Sequence, residues 1–448
     1  MGNPCLDKVD TVVLGGGISG LYLALLLGRV GHRVVVLEKN TTVGGLLQTV
    51  QHEGFHFDLG GHRLVFADPG DLFLFLQEIG LSEPMIEHHR RARIIVEKKF
   101  LHYPPGLIDA LRFPSRLWVP AVWDLLIGSR RFSSPSTFEE WLCHHYGETI
   151  YNLIFKDYTR KVWGVECSSF SPQFLEQRVG RFHWREFFLG RPGIKSKDTR
   201  RFFHYPSLGM AEITGAVMAG LGKNVSVLRS SQAVELRPEG IGARVCFSSE
   251  HAGAGEILAR NVVSTIPVPA LFQTLADHDL EQYLPAYKSR HLVLLNLILE
   301  DNCRLPQLHW VYFPQGDIVF SRAFIPRTWS VKMTPSLGCS VSFEVICGDD
   351  LAHLSDKDLL DSLLKDIDKT GMNFTLKDVR HAFLTRYEHA YPVVIDREMI
   401  EQGKRAAVTR FPFLKFAGRA GTHAYYDIED CVNSVRSVVN DLKRFPEN

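Results

Sequence analysis

The chain has 448 residues, 45% of them hydrophobic, and this length and apolar content predict two domains with separate cores. A formal net charge of +1 provides no basic surface, so we expect no nucleic-acid partner. No apolar run reaches the thickness of a bilayer and no apolar leader precedes the first strand, so the sequence predicts a cytoplasmic protein without a transmembrane segment.

Residues 11–38 read as strand, glycine turn, helix, strand and acid. An apolar run at 12–14 leads into the glycine turn, a helix is expected over 21–28, and a second apolar run follows at 34–37. This order is typical of a dinucleotide-binding fold. The alternative is a structural glycine turn between a strand and a helix.

Several residues of this segment have a definite structural role in such a fold. Gly15 permits the tight turn, Gly17 lets the backbone approach a pyrophosphate, and Gly20 lets the helix pack against the strand. Ile18 and Ser19 lie at the N-terminal end of the helix, where free N–H groups and a partial positive charge face the phosphates. The segment therefore predicts a site for a dinucleotide.

The acid at the end of the second strand is followed by a second glycine pair. Glu38 is placed to accept hydrogen bonds from a ribose hydroxyl. Lys39, Gly44, Gly45 and Leu46 come next, and the acid, the basic residue and the glycine pair resemble the second cofactor cradle of the FAD-binding amine oxidase superfamily. The resemblance favours FAD over NAD as the cofactor. The alternative is a flexible loop.

The order of the elements predicts an α/β fold with a discontinuous, Rossmann-type, FAD-binding domain. This domain is expected to comprise residues 1–85, 203–285 and 403–448. Residues 86–202 and 286–402 are expected to form a substrate domain with a mixed sheet and a helical cap. Strands are expected at 225–228, 291–299, 311–313, 318–324, 340–345 and 414–417, and helices within 105–200, within 349–378 and over 427–444.

The eight cysteines contain no C-x-x-C pair, which is typical of thiols in a reducing compartment. Only Cys143 has histidine neighbours, His144 and His145, and adjacent side chains on a helix point apart. We therefore expect no metal site.

Five further motifs, in collinear order, resemble UDP-galactopyranose mutases and related protoporphyrinogen-oxidase-like flavoproteins. They are FDLGGHR at 57–63, YTRKVWG at 158–164, QRV at 177–179, SRA at 321–323 with WS at 329–330, and GRAG at 418–421 with YYD at 425–427. The resemblance covers nearly the whole chain. It implies the fold and the cofactor, but not the reaction, since this superfamily supports several reactions on one scaffold.

The resemblance also implies roles for individual residues around a flavin. Gly60 and Gly61 would bring backbone N–H groups close to the isoalloxazine ring, and His62 would stand beside it. Val227 or Val225 would offer backbone contacts to the adenine. The C-terminal motif would contact the flavin and its pyrophosphate through Gly418 and Arg419, with Asp427 or Asp430 next to the ribityl chain. The alternatives are a core histidine for His62 and a strand-end ion pair for Arg419.

Three residues resemble those that grip the substrate diphosphate in the mutases. They are Arg178, Arg322 and Tyr425, and guanidinium forks suit phosphate or carboxylate. With His62 they are the candidate catalytic residues, and they predict a small anionic substrate. The alternative for each arginine is an ordinary ion pair with a carboxylate.

Three functions stay open on the sequence alone. The first is an FAD-dependent oxidoreductase that transfers a hydride from its substrate to the flavin. The second is a redox-neutral isomerase of a nucleotide sugar, similar to the mutases, and the third is a flavoprotein without catalytic activity. His423, where many mutases have a tyrosine, and Arg63 to Phe66, which depart from the mutase pattern, favour the first.

Residues 101–128 mix aromatic, basic and apolar residues. We expect a buried cap helix here, and the alternative is an interfacial helix that contacts a membrane surface.

Overall fold

The computed structural model describes residues 5–81, 83–103, 115–117, 119–121, 123–124, 134–172, 181–182, 194–195, 201–250, 253–335 and 337–443. Its strands are β1 (Cys5–Leu14), β2 (Val34–Leu37), β3 (Thr49–His52), β4 (Phe55–Asp58), β5 (Ile86–His89), β6 (Ala92–Val96), β7 (Lys99–His102), β8 (Arg181–Phe182), β9 (Ile194–Lys195), β10 (Phe202–Tyr205), β11 (Val225–Leu228), β12 (Ser231–Glu239), β13 (Gly242–Ser249), β14 (Gly253–Ser264), β15 (Lys288–Leu299), β16 (Trp310–Tyr312), β17 (Arg322–Phe324), β18 (Cys339–Cys347), β19 (Val379–Val393) and β20 (Leu414–Phe416).

The helices alternate with these strands along the described part of the chain. They are α1 (Ile18–Arg29), α2 (Pro69–Glu78), α3 (Phe138–Tyr146), α4 (Glu148–Ile150), α5 (Lys156–Trp163), α6 (Ala211–Ala219), α7 (Val268–Leu275), α8 (His278–Glu281), α9 (Pro326–Trp329), α10 (Asp349–Ala352), α11 (Asp356–Leu364), α12 (Arg397–Arg410), α13 (Gly418–Gly421) and α14 (Ile428–Lys443). A π-helical turn at Tyr151–Phe155 joins α4 to α5.

The first sheet has seven strands in the order β11-β2-β1-β14-β13-β12, with β20 paired to β14. Strand β1 runs parallel to both β2 and β14, and helix α1 makes the crossover from β1 to β2. The connections from β1 thus lead to β2 on one side of it and later to β14 on the other, so the strand order reverses at β1. The carboxyl end of β1 is therefore a topological switch point, the kind of place where such sheets bind ligands.

The apolar run of β1 is explained by burial on both of its faces. Val12 and Val13 are both inaccessible to solvent, yet they belong to two different hydrophobic clusters. Helices α1 and α14 contribute to the cluster around Val13, whereas α7 and α12 contribute to the cluster around Val12. Continuous hydrophobicity is the pattern expected of such a parallel strand.

The second sheet also has seven strands, in the order β19-β15-β18-β17-β16-β6-β7. Most neighbours are antiparallel, but β16 pairs with β6 in parallel, so the sheet is mixed. The α/β class, the Rossmann-like part and the second mixed sheet are thus confirmed. The domain boundaries stay a prediction.

The structure differs from the predicted elements in two places. The strand expected at 318–324 covers only Arg322–Phe324, because Phe320 and Ser321 approach it without ladder pairing. The fifteen-residue strand β19 was not predicted. It is an edge strand in which charged and polar residues interrupt the apolar ones without a regular period of two, so it lacks the alternation of a half-buried strand.

Most of the segment 101–128 lies outside the described residues, so neither interpretation of it is tested. Within the described part, Val119 and Trp123 are exposed. No helix in the described ranges is long and apolar enough to cross a membrane.

Glycine packing in α1 generates a stability prediction. A Cβ added to Gly20 would lie 2.0 Å from the carbonyl oxygen of Gly15, whereas one added to Gly215 in α6 would meet nothing within 4 Å. We expect Gly20→Ala to lower the free energy of unfolding by about 1–3 kcal/mol through overpacking. Gly215→Ala, the matched control, should raise it by roughly 0.5–1 kcal/mol. Urea unfolding measures both, and equal effects of the two substitutions would contradict the close packing.

Candidate cofactor and substrate site

A cavity of about 770 Å³ extends from the carboxyl ends of β1 and β2 to the second sheet. Fourteen of the predicted site residues line it: Gly15, Gly17, Ile18, Ser19, Glu38, Lys39, Gly45, Leu46, Gly61, His62, Arg322, Arg419, Tyr425 and Asp427. Arg178 lies outside the described residues. Residues that are distant in sequence therefore share one cavity large enough for a ligand.

The glycine turn at the end of β1 lines the cavity with bare backbone. Gly15 has φ +101°, in the left-handed region that favours glycine. A Cβ added to Gly17 would find its nearest neighbour 3.9 Å away, at the Cα of Gly45, and Gly44 N donates to Gly16 O at 2.8 Å. The two glycine segments thus pack side by side, and Gly17 and Gly45 both line the cavity without a side chain, as expected where a pyrophosphate lies close to the backbone.

The carboxylate of Glu38 is held by backbone amides at the same end of the cavity. Its Oε2 accepts a hydrogen bond from Gly16 N at 2.7 Å, and its Oε1 accepts one from Asn40 N at 2.9 Å. The side chain is buried yet lines the cavity. Each carboxylate oxygen has a second lone pair, so these bonds leave Glu38 able to accept from a ribose hydroxyl.

The second sheet closes over this nucleotide end through β19. Lys39 Nζ lies 3.2 Å from Glu388 Oε2, and a Cβ added to Gly45 would approach Tyr387 Oη to 3.2 Å. The register of β19 on β15 shifts between Arg290 and Leu292, and His389 in this bulge has φ +53°. The bulge turns Tyr387, Glu388 and His389 toward the cavity, which is a common use of an irregular strand.

Four predicted cofactor residues do not line the main cavity. Gly20 and Gly418 lie in close packing, since a Cβ on Gly418 would come within 2.5 Å of Ser19 Cβ. Gly60, with φ +102°, lines a small adjoining cavity. Val227 pairs with Val36 inside the first sheet, and the following residues, Ser231, Gln232 and Ala233, line the main cavity in its place.

His62 is a neutral histidine at the centre of the cavity. Its Nε2 lies 3.0 Å from the carbonyl oxygen of Leu59. Burial, together with the positive charges of Arg419 and Arg322, lowers the pKa of His62 to about 3. The imidazole is therefore uncharged at neutral pH, and it stands where the loop 57–63 enters the cavity.

Arg322 forms an ion pair with a buried carboxylate that the sequence analysis did not single out. Its Nη2 lies 2.7 Å from Glu344 Oε2, and Glu344 is only 2% exposed. Tyr391 Oη donates to the other carboxylate oxygen at 2.9 Å. Although burial opposes it, the Glu344 carboxylate raises the pKa of Arg322 above its ordinary value. The charge of Arg322 is therefore compensated by a carboxylate of the protein, which is the arrangement that the ion-pair alternative predicts.

Arg419 has no carboxylate partner among the described residues. Its guanidinium lies 4.6 Å from the ring centre of Tyr425 and 5.0 Å from that of Tyr391. Nη1 donates to Tyr426 O at 3.2 Å, whereas Nε and Nη2 are buried without a partner in the described structure. Buried donors of this kind are satisfied in native proteins, so the two nitrogens point to a ligand acceptor here.

The far end of the cavity has aromatic and aliphatic walls. They come from the loop after His62, from β6, from the π-helical turn and α5, and from β16 and β18: Val65, Ile94, Tyr103, Phe138, Ile154, Phe155, Tyr158, Val162, Trp163, Tyr312 and Ile346. Burial raises the pKa of Tyr158 well above its ordinary value, so its hydroxyl stays protonated. This compartment suits an organic molecule with a largely apolar body.

A buried lysine fixes the helix that carries these aromatic residues. Lys161 Nζ donates to the carbonyl oxygens of Phe313, Gln315 and Phe320, at 2.8 to 3.0 Å. Burial lowers the pKa of Lys161 to about 8. Because the lysine binds the second sheet on one side of α5, Tyr158 and Val162 are held at the cavity.

Three further residues of the site were not predicted from the sequence: Glu344, Tyr391 and Tyr158. Two of them, Glu344 and Tyr158, have a sequence feature that could have indicated them. Glu344 is the one charged residue in the nine-residue apolar segment of β18, and a lone charge in a buried strand indicates a paired or functional group. Tyr158 lies within a recognised motif. Tyr391 belongs to β19, which was not predicted, so it carried no such signal.

The fold and the cavity define a Rossmann-like dinucleotide-binding protein with a second domain built on a mixed sheet. Residues 13–79 match the model of a family described as the NAD(P)-binding Rossmann-like domain. The arrangement of the whole chain is similar to a solved structure of reduced UDP-galactopyranose mutase, with a TM-score of 0.82 at 20% identity over 99% of this chain and 95% of that one.

Curated relatives match shorter stretches. All-trans-retinol 13,14-reductase of Danio rerio is 46% identical over 58 residues, which are 13% of this chain and 10% of that protein. dTDP-fucopyranose mutase of Escherichia coli is 24% identical over 196 residues, 42% of this chain and 51% of that protein. The matches thus span between a tenth and a half of these relatives. They confirm the predicted resemblance to the flavoprotein group at the level of the fold.

No group of three or more histidine, cysteine, aspartate or glutamate side chains in the described residues could hold a metal ion.

The low pKa of His62 generates a prediction on pH and stability. The pKa of a histidine in the unfolded chain is near 6.5, whereas the pKa of native His62 is about 3. Between these two pH values the unfolded state therefore binds a proton that the native state does not bind. The stability from neutral His62 is complete above pH 6.5 and is lost as the pH falls. Between pH 7 and 5 we expect the parent to lose roughly 2 kcal/mol more than His62→Gln in urea unfolding.

His309 and His423 also have lowered pKa values, about 3 and about 4, but they are present in both proteins and cancel in the difference. Parallel stability curves for the parent and His62→Gln would show that His62 is not held neutral by burial.

Proposed function

We propose that the protein is an FAD-dependent oxidoreductase acting on a small organic substrate. The observation that carries the proposal is the single cavity, which joins the glycine turn of a Rossmann-like fold to an aromatic compartment in the second sheet. The resemblance of the motifs to flavoproteins and the reductase among the relatives support it.

The described residues fit FAD at the nucleotide end. The bare backbone of Gly17 and Gly45 in the cavity wall, with the N-terminus of α1 beside it, would lie against the pyrophosphate. Glu38 would hold the ribose, and Arg419 would supply its two unpartnered nitrogens to a cofactor acceptor. Gly61, His62 and Asp427 would stand along the flavin end of the molecule.

When bound, FAD supplies the hydride-accepting chemistry. The chain itself binds and orients the substrate and excludes water, and the aromatic and aliphatic walls of the far compartment serve both purposes. His62, being neutral, can donate one hydrogen bond and accept another without adding charge. Tyr158 can donate from a hydroxyl that does not ionise at neutral pH.

The second candidate function is a redox-neutral isomerase of a nucleotide sugar. Its support is the extent of the fold match to UDP-galactopyranose mutase and the mutase among the relatives. An anionic substrate is part of this alternative, since it relies on Arg178 and Arg322 as a diphosphate clamp. The ion pair of Arg322 with Glu344 weakens that clamp, and therefore we place the oxidoreductase first.

The cofactor is tested by Gly17→Val. The new side chain would extend from the cavity wall into the proposed pyrophosphate position, so we expect purified parent protein to contain FAD and the variant to contain none. The backbone of Gly17, with φ −72° and ψ 177°, accepts valine without strain, so the variant should fold. Chromatography of the heat-released cofactor identifies it, and circular dichroism checks the fold.

Gly215→Val is the matched control, because position 215 also has open space but lies outside the cavity. It should retain FAD. Finding FMN in the parent, or no flavin after reconstitution, would contradict the proposal.

The reaction class is tested by anaerobic photoreduction of the flavin-loaded protein, followed by oxygen and, separately, by UDP-sugars. Product formation coupled to reoxidation of the flavin is the result expected of an oxidoreductase. Turnover by the reduced protein alone, without net oxidation, would assign the isomerase function. Bound flavin without turnover of any organic substrate would assign the non-catalytic alternative.

A further inference from the structure

The cavity contains two arginines whose charges are compensated in different ways. Arg419 has aromatic faces and one carbonyl oxygen around it, and no carboxylate pairs with it in the described structure. Arg322 is paired with Glu344 at 2.7 Å. Among the described residues Arg419 therefore keeps a positive charge without a paired carboxylate, whereas the charge of Arg322 is already neutralised by the protein.

Both oxygens of Glu344 are engaged in this pairing. Oε2 accepts from Arg322 and Oε1 accepts from Tyr391, and the carboxylate is almost wholly buried. An anion bound at Arg322 would place a second negative charge next to Glu344, where the two charges repel in a medium of low dielectric constant. A neutral oxygen atom would meet no such repulsion.

We propose that Glu344 is a specificity-determining residue, which makes the site at Arg322 select an uncharged acceptor group of the substrate over an anionic one. The inference rests on the proposed function, because it concerns the substrate of that same cavity. It assigns the substrate class as a neutral organic molecule with a carbonyl or hydroxyl oxygen and a largely apolar, flat body.

The donors and walls around Arg322 agree with this class. Nε of Arg322 is buried without a partner in the described structure and can donate to one acceptor. Tyr158 and Tyr312 line the cavity beside it, with ring centres 5.9 Å apart in an edge-to-face arrangement. Aromatic walls of this kind suit a flat organic body.

Arg63 also lines the cavity, with its guanidinium 4.8 Å from the ring centre of Trp310. If an anionic ligand bound at Arg63, its affinity would not depend on whether Glu344 pairs with Arg322. The effect of Glu344 is therefore isolated by comparing variants at Glu344 and Arg322, not by anion binding alone.

The experiment compares benzamide with benzoate, which have the same shape and differ in charge. Each is titrated into the FAD-loaded protein, and the perturbation of the flavin absorbance spectrum gives its dissociation constant. We expect the parent to bind benzamide more tightly than benzoate. Glu344→Gln should shift the ratio of the two affinities toward benzoate by at least about tenfold, the value of one charge-assisted hydrogen bond.

Three variants make the comparison specific. Glu166→Gln removes a glutamate from a 2.7 Å ion pair with Arg160 on the surface, outside the cavity, and should leave the ratio unchanged. Adding Arg322→Gln to Glu344→Gln should return the ratio to that of the parent. Glu344→Asp keeps the charge and should keep the preference for benzamide, so it tests the proposal if Glu344→Gln does not fold.

The proposal is overturned if the parent binds benzoate as tightly as benzamide or binds neither. It is also overturned if Glu344→Gln leaves the ratio unchanged or shifts it toward benzamide, or if the charge-conserving Glu344→Asp shifts it toward benzoate. A purified parent without FAD would refute the proposed function instead. The same ratio would then be measured from the change in intrinsic tryptophan fluorescence, to which Trp163 in the cavity lining contributes, so the two failures are distinguishable.

Discussion

The site depends on a contact that only glycine permits, at the carboxyl ends of β1 and β14. Cβ atoms added to Gly20, Gly418 and Gly421 would lie 2.0 to 2.5 Å from atoms of Gly15, Ser19 and Ser264. Three distant segments of the chain approach there, and the glycines meet backbone oxygens at Gly15 and Ser264 and the side chain of Ser19. This approach brings the glycine turn, the end of β14 and the C-terminal motif to one point, and the cavity opens from it.

Two buried arginines with different surroundings distinguish the two ends of this cavity. The glycine contact places Arg419 near the glycine turn, where no described carboxylate pairs with it, and the second sheet places Arg322 opposite Glu344. Burial gives both arrangements a consequence for binding, since a lone buried charge needs a ligand while a paired one does not. Burial and the charges of both guanidinium groups keep His62 neutral.

The edge strand β19 joins the halves. It pairs with β15 along most of its length, and its bulge at residues 388–390 turns side chains toward the dinucleotide loop. Glu388 forms an ion pair with Lys39 there, and Tyr391, three residues further along, donates a hydrogen bond to Glu344. One strand of the second sheet therefore contacts both the cofactor end and the substrate end, so a shift in its register would alter both.

The sequence by itself determined the fold class, the glycine turn of a Rossmann-like unit and most of the predicted residues that line this end of the cavity. Those signals are local: glycine spacing, apolar runs and an acid at a strand end depend on neighbours within one βαβ unit. The tertiary structure alone decided the partner of Arg322, the path of β19 and the exclusion of Val227 from the cavity. These depend on contacts between segments far apart in the chain, where the energy of burial and pairing, not local pattern, selects the neighbours.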